Sequence, residues 1–178
     1  MNRLSIPIGP DDHTQGDRTA LLTLVEYGDY ECPSCGQIQP VIQKIQKHFG
    51  KRLLFAFRNF PLAELHPWAE AAAEAAMYAS KHGKFWEMHY LLFENQERLS
   101  DSLLLELADQ LGLSSSDLSV ALEKNTYRPR VRTDFDSGIR SGVNGTPTLF
   151  INDERYDGLL GFDSVVDRIA HVLAASKV

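Results

Sequence analysis

The chain has little of what builds a cross-linked scaffold or a charged nucleic-acid surface. It holds only 2 cysteines in 178 residues, so no disulfide framework carries the fold and an apolar core must do so. Lysine and arginine number 18 against 24 aspartates and glutamates, a formal charge of −6, and no basic run occurs. A surface that tracks phosphates is therefore not expected, and nucleic acid is not a partner. No stretch approaches the ~20 apolar residues of a membrane span, so no membrane partner is expected either. Residues 1–13 lack the continuous apolar segment of a secretory signal. The sequence as it stands reads as cytoplasmic, or as periplasmic or exported if a signal has been trimmed from it. What is present, 43% apolar and 24% charged residues, suffices for one domain or one domain carrying an insertion.

Residues 1–18 mix Pro, Gly, Asp and Asn without a sustained period and read as an irregular N-terminal arm. Residues 20–27 (ALLTLVEY) are apolar and β-favouring and end at Gly28, which predicts a buried strand. From Pro33 to His48 the apolar positions Ile38, Val41, Ile42 and Ile45 recur at helical spacing, Pro40 predicts a kink, and Gly50 marks the stop. Residues 51–60 (KRLLFAFRNF) predict a second strand before Pro61, completing a right-handed βαβ unit over residues 19–62.

Residues 63–142 differ in kind. Helices are predicted over 68–82, 84–95, 102–111, 117–124 and 129–141, with Ser100 and either Ser114 or Ser116 as N-cap candidates. Trp68, Phe85, Trp86, Tyr90 and Phe93 fall at helical spacing and read as core, while His66 and His89 read as satisfied structural histidines, with a contribution to a cleft as the alternative. In residues 143–178 the pattern returns to strand 148–151, a turn at Asn152-Asp153, strand 155–156 and a closing helix 163–175. The fold class is thus α/β: a βαβ unit and a ββα unit interrupted by a helical insertion.

The two cysteines lie three apart, Cys32-Pro33-Ser34-Cys35, between a predicted strand and a predicted helix. A thiolate, not a thiol, attacks a disulfide, so a redox cysteine needs its pKa drawn below about 8.5. A helix start does this through its unpaired N–H groups and aligned peptide dipoles. Cys32 occupies that place if the helix begins at Pro33, a residue favoured at the first helical site. Cys35 returns to the same face one turn later, within reach of the first sulfur. Cys32 is accordingly the candidate attacking sulfur and Cys35 the candidate resolving thiol. Asp29 and Glu31 oppose the thiolate by like charge. Half of a zinc site is a competing reading, but no second CxxC or close histidine pair completes four ligands, and no metal is expected. Two buried structural thiols are the other.

Strand, CPSC, helical insertion, then Gly142-Val143-Asn144-Gly145-Thr146-Pro147-Thr148 before a strand resembles the DsbA-like branch of the thioredoxin superfamily. Further matches are Tyr27-Gly28-Asp29-Tyr30-Glu31, Phe60-Pro61-Leu62 with His66-Pro67, residues 84–89 (KFWEMH) and Leu111-Gly112-Leu113, so the resemblance covers about residues 9–175. It implies a thioredoxin fold and a thiol:disulfide oxidoreductase that exchanges disulfides with protein thiols or small thiols through a mixed disulfide. It implies a cis Thr146-Pro147 bond facing the cysteines, where the Thr146 backbone pairs with an extended substrate beside Pro33 and Ser34. It also implies that Glu26, six residues before Cys32, is a buried proton acceptor for Cys35. A solvated strand carboxylate is the alternative for Glu26.

Ser34 departs from the family, whose strongly oxidising members carry His there; serine adds no positive charge, and a milder oxidant is expected. No cofactor is expected beyond the cysteine pair, with glutathione entering only as a thiol substrate, and a redox recycling partner is required. Two other functions compete. Glutathione-dependent isomerases or transferases share the fold but generally lack a paired CxxC, and a redox-sensing interaction domain would use the bond to change a surface.

Overall fold

Strands β2 (Leu22–Gly28) and β3 (Leu53–Asn59) are near-continuous apolar runs and are buried along almost their whole length. Parallel central strands covered on both faces require that composition. They pair in parallel, Glu26 opposite Phe57, and helix α1 (Pro33–Phe49) makes the crossover between them. Strand β4 (Thr148–Ile151) lies antiparallel on the other side of β2, and β5 (Glu154–Tyr156) pairs antiparallel with β4. The computed structural model describes residues 3–175; the first two and last three positions of the outer segments read above lie outside it.

Alternation along the strands divides the core in two. Leu22 and Leu24 pack with Ile38, Ile42, Phe55 and Phe57, whereas Val25 and Tyr27 pack with Ala56, Phe60 and Phe150. Each large apolar side chain among them contributes ~1.5–3 kcal/mol by leaving water. Glu26 is in phase with Leu22 and Leu24, so its carboxylate is turned toward α1 and lies inside the larger core.

The insertion consists of α2 (Ala69–Lys81), α3 (Phe85–Glu94), α4 (Asp101–Gln110), α5 (Ser115–Glu123) and α6 (Arg128–Arg140), and α7 (Phe162–Ala175) closes the chain. Alanines 72, 73, 75, 76 and 79 of α2 are buried, and their small side chains let α3, α5 and α6 approach. Ser100 and Ser114 cap α4 and α5 by accepting the N–H groups of Leu103 and Asp117, so Ser114 rather than Ser116 is the cap. Phe85 is buried in the larger core and Trp68, Trp86 and Phe93 pack against it. Helix α1 continues as one helix across Pro40.

The arm is not irregular throughout. His13–Gly16 forms strand β1, antiparallel on the outer edge of β3, with His13 opposite Phe57 and Gly16 opposite Leu54. The sequence His-Thr-Gln-Gly carries no apolar alternation; the unpaired backbone edge of β3 supplies the reason to pair. Gly16 ends the strand at φ 104, where a Cβ would lie 2.2 Å from the Leu53 carbonyl oxygen, so only glycine fits. Buried Arg58 holds the preceding residues, donating to both carboxylate oxygens of Asp12 at 2.7 and 2.9 Å and to the carbonyls of Ile6 and Pro7.

Candidate active site

Cys32 is the N-cap residue of α1, extended at φ −72 and ψ 119, with Pro33 opening the first turn and no acidic side chain in that turn. Its carbonyl accepts from the N–H groups of Cys35 and Gly36 at 3.0 and 3.2 Å, which closes the helix start around the pair. Cys32 is 7% exposed and Cys35 is fully buried. The Thr146–Pro147 bond is cis and lies against them: the Cys32 thiol donates to the Thr146 carbonyl across 3.4 Å.

The two sulfurs have opposite acidities. A hydrogen bond from the Cys35 thiol draws the Cys32 pKa down to about 5 against desolvation, helped by the Thr146 side chain and the N–H groups of Cys35 and Ser34. Ser34 thus acts through its backbone. Burial pushes the Cys35 thiol well above the ordinary range, and its bond to Cys32 and the nearby Glu26 charge push the same way. The Thr146 hydroxyl is buried without a partner among the described residues while Cys32 is protonated, which leaves it free to donate to the thiolate. Glu26 is buried, and desolvation raises its pKa to about 8, while Gln39 Nε2, 3.3 Å from both its oxygens, works against the rise. The solvated reading of Glu26 is excluded by its position in the core.

A thioredoxin family model matches residues 9–170 of this chain. The fold superposes on oxidised BdbD from Bacillus subtilis with a TM-score of 0.82 at 29% identity, covering 90% of this chain and 91% of that one. This chain is a DsbA-like member of the thioredoxin family. Alpha-DsbA1 of Wolbachia pipientis has the same fold, with a TM-score of 0.80 at 20% identity over 94% of this chain and 93% of its own. The Na(+)/H(+) antiporter NhaA 1 of Salinispora arenicola is 37% identical over 176 residues, 98% of this chain but 27% of that protein. The chain therefore spans about a quarter of the length of the curated relatives it matches. Among the described residues, no helix is long and apolar enough to cross a membrane.

Around the cysteines the structure gives Asp29, Glu31 and His66 specific partners. Asp29 and Glu31, expected to oppose the thiolate, are both engaged. Asp29 accepts from Leu62 N–H at 2.8 Å and pairs with His66 Nδ1 at 2.7 Å, while its own N–H donates to Cys35 Sγ at 3.4 Å. Glu31 accepts from Trp68 N–H at 2.6 Å. Burial works against a charge on His66, but the hydrogen bond and charge of Asp29, with Cys32 and Glu31, outweigh it and raise its pKa. His66 thus takes the cleft alternative and joins the site.

Gln96, in the connection between α3 and α4, donates to the carbonyls of Tyr30 and Cys32, each at 2.8 Å. It reaches them because Gly36 has no side chain: a Cβ there would lie 2.5 Å from Gln96 Oε1. A cavity of about 400 Å³ lies alongside, between Pro33, Gly36 and Gln37 and the segment of Phe93, Asn95 and Gln96. Gln39 was discoverable in the sequence, four residues after Cys35 on the same helix face; Gln96 and the role of Asp29 carried no local signal.

Proposed function

We propose that this protein is a thiol:disulfide oxidoreductase that exchanges disulfides with protein thiols or small thiols. The observation that carries the reading is the pair of cysteines at the start of α1, Cys32 at the N-cap beside the cis Thr146–Pro147 bond and Cys35 buried one turn on. A substrate disulfide is attacked by the Cys32 thiolate, which joins one substrate sulfur and releases the other as a thiolate. Cys35 then loses its proton to Glu26, bonds to Cys32 and releases the second substrate thiol. The reverse order oxidises a substrate dithiol. Thr146 offers its backbone to an extended substrate segment, and Pro33 and Ser34 line the approach.

The chemistry needs no group beyond the cysteine pair and a partner that resets it, with glutathione as one small thiol substrate. A lowered Cys32 pKa is the direction in which CxxC proteins become better oxidants, and the reduction potential of the Cys32–Cys35 couple measures the net direction of exchange. Ion transport belongs to the longer antiporters and is not assigned to this chain. Insulin reduction and dithiol oxidation by wild type, Cys32→Ala and Cys35→Ala test the reading. Cys32→Ala is expected to abolish turnover and Cys35→Ala to accumulate mixed disulfides; full activity in both would overturn it.

A further inference from the structure

Beneath the cysteines a single file of buried side chains leads away from Glu26. Gln39 Nε2 lies 3.3 Å from each Glu26 oxygen, Gln39 Oε1 lies 3.2 Å from His89 Nε2, and His89 Nδ1 lies 3.1 Å from the Tyr30 hydroxyl. All four residues are buried, on β2, α1, α3 and the loop before Cys32. Their donor and acceptor roles constrain one another. In the ionised state that takes up the Cys35 proton Glu26 only accepts, so there the Gln39 amide nitrogen faces Glu26 and its oxygen faces His89. That oxygen needs a donor, which places the imidazole hydrogen on Nε2 and leaves Nδ1 to accept from Tyr30.

We propose that His89, as the neutral Nε2–H imidazole, is a positioning residue for disulfide exchange: by fixing the Gln39 amide it keeps an N–H donor aimed at Glu26 and preserves the carboxylate that takes the Cys35 proton. The inference rests on Cys35 being the resolving thiol. In that step the Cys35 S–H bond breaks and its proton passes to Glu26. The Cys35 sulfur bonds to Cys32, the Cys32–substrate bond breaks, and the substrate sulfur leaves with the electron pair. One disulfide replaces another. Without His89, the Gln39 amide is free to turn its oxygen toward Glu26, an arrangement that suits the protonated acid and withdraws the base.

The surroundings fit a neutral imidazole. The rings of Phe57, Phe85, Trp86 and Phe93 pack around His89. Burial, with His13 of β1 nearby, lowers its pKa to about 3. The groups that face Glu26 are Gln39 and the two cysteines of the α1 start and Tyr30 of the loop, and Tyr30 in turn feels Asp134 of α6.

The test is a carbon-13 NMR titration of the Glu26 carboxyl in the oxidised full chain, where neither sulfur titrates, for wild type, His89→Phe and His89→Gln. His89→Phe keeps a ring and removes both polar atoms; His89→Gln restores a donor toward Gln39. The midpoint is expected to rise by about one pH unit in His89→Phe and to return toward wild type in His89→Gln. Release of glutathione from a Cys32–glutathione mixed disulfide should slow ~tenfold at pH 7 in His89→Phe, with the Cys32 titration unmoved. An unchanged Glu26 midpoint in folded His89→Phe overturns the proposal. Should that variant not fold, long-range nitrogen-15 spectra of wild type decide: Nε2–H between pH 5 and 9 supports it, and Nδ1–H or an imidazolium overturns it. None of these NMR readouts needs turnover. A chain that moves no disulfides yet shows the midpoint shift refutes the exchange reading alone, and an active chain without the shift refutes the role of His89 alone.

Discussion

The Cys32 sulfur lies 3.4 Å from the Thr146 carbonyl oxygen, although 114 positions separate the two residues in the chain. The contact joins the start of α1 to the loop before β4, and it places a backbone acceptor and a buried hydroxyl against the thiol with the lowered pKa. The hydroxyl gives a first prediction. Thr146→Val keeps the shape and the carbonyl but removes the donor. The Cys32 pKa should rise by about one pH unit or less, read from thiolate absorbance against pH. No rise would mean that the hydroxyl contributes nothing to the thiolate.

Alkylation should distinguish the two sulfurs. In the reduced protein, the rate of Cys32 modification by iodoacetamide is expected to follow a single ionisation near pH 5, while Cys35 stays unmodified up to at least pH 9. Mass spectrometry of the alkylated peptide reads both. An ordinary profile for Cys32 would remove the basis of the proposed mechanism.

The His66–Asp29 pair makes stability depend on pH in a definite sense. The His66 pKa is raised in the folded state, so its stabilisation is full below its unfolded value of about 6.5 and is lost as pH rises through the folded value. Urea melts of wild type and His66→Ala from pH 5 to 9 should show the largest gap at the acid end. A gap that widened with pH would contradict the pairing.

Gly36 and Gln96 should be coupled. Alanine at 36 meets Gln96 Oε1 at 2.5 Å and displaces a side chain that holds two carbonyls of the active-site loop, so Gly36→Ala is expected to destabilise by about 1–3 kcal/mol. In a Gln96→Ala background the obstacle is gone. The better helix propensity of alanine should then make the same change stabilising by up to ~1 kcal/mol. A double-mutant cycle reads the reversal, and additive effects would refute the contact.

Much of this fold was legible because its signals are local. The apolar run of residues 20–27, the helical spacing of Ile38, Ile42 and Ile45 and the capping serines each depend on neighbours within a turn or two. Strand β1 was not legible, because its four residues pair through backbone groups and not through an apolar face. Glu26 was reached by resemblance, and the alternation of β2 explains why it points inward.

The sequence by itself determined which helix starts at the cysteines, that proline opens it, and that the sulfurs fall one turn apart, since peptide geometry and near neighbours settle such features. Tertiary structure alone decided the strength of the effect and the company the sulfurs keep. Burial of Cys35 and Glu26, the Asp29–His66 pair, the file from Glu26 to Tyr30 and the Gln96 clasp all join residues from different elements. Desolvation and hydrogen bonding between distant segments are properties of packing, and no local window of sequence contains them.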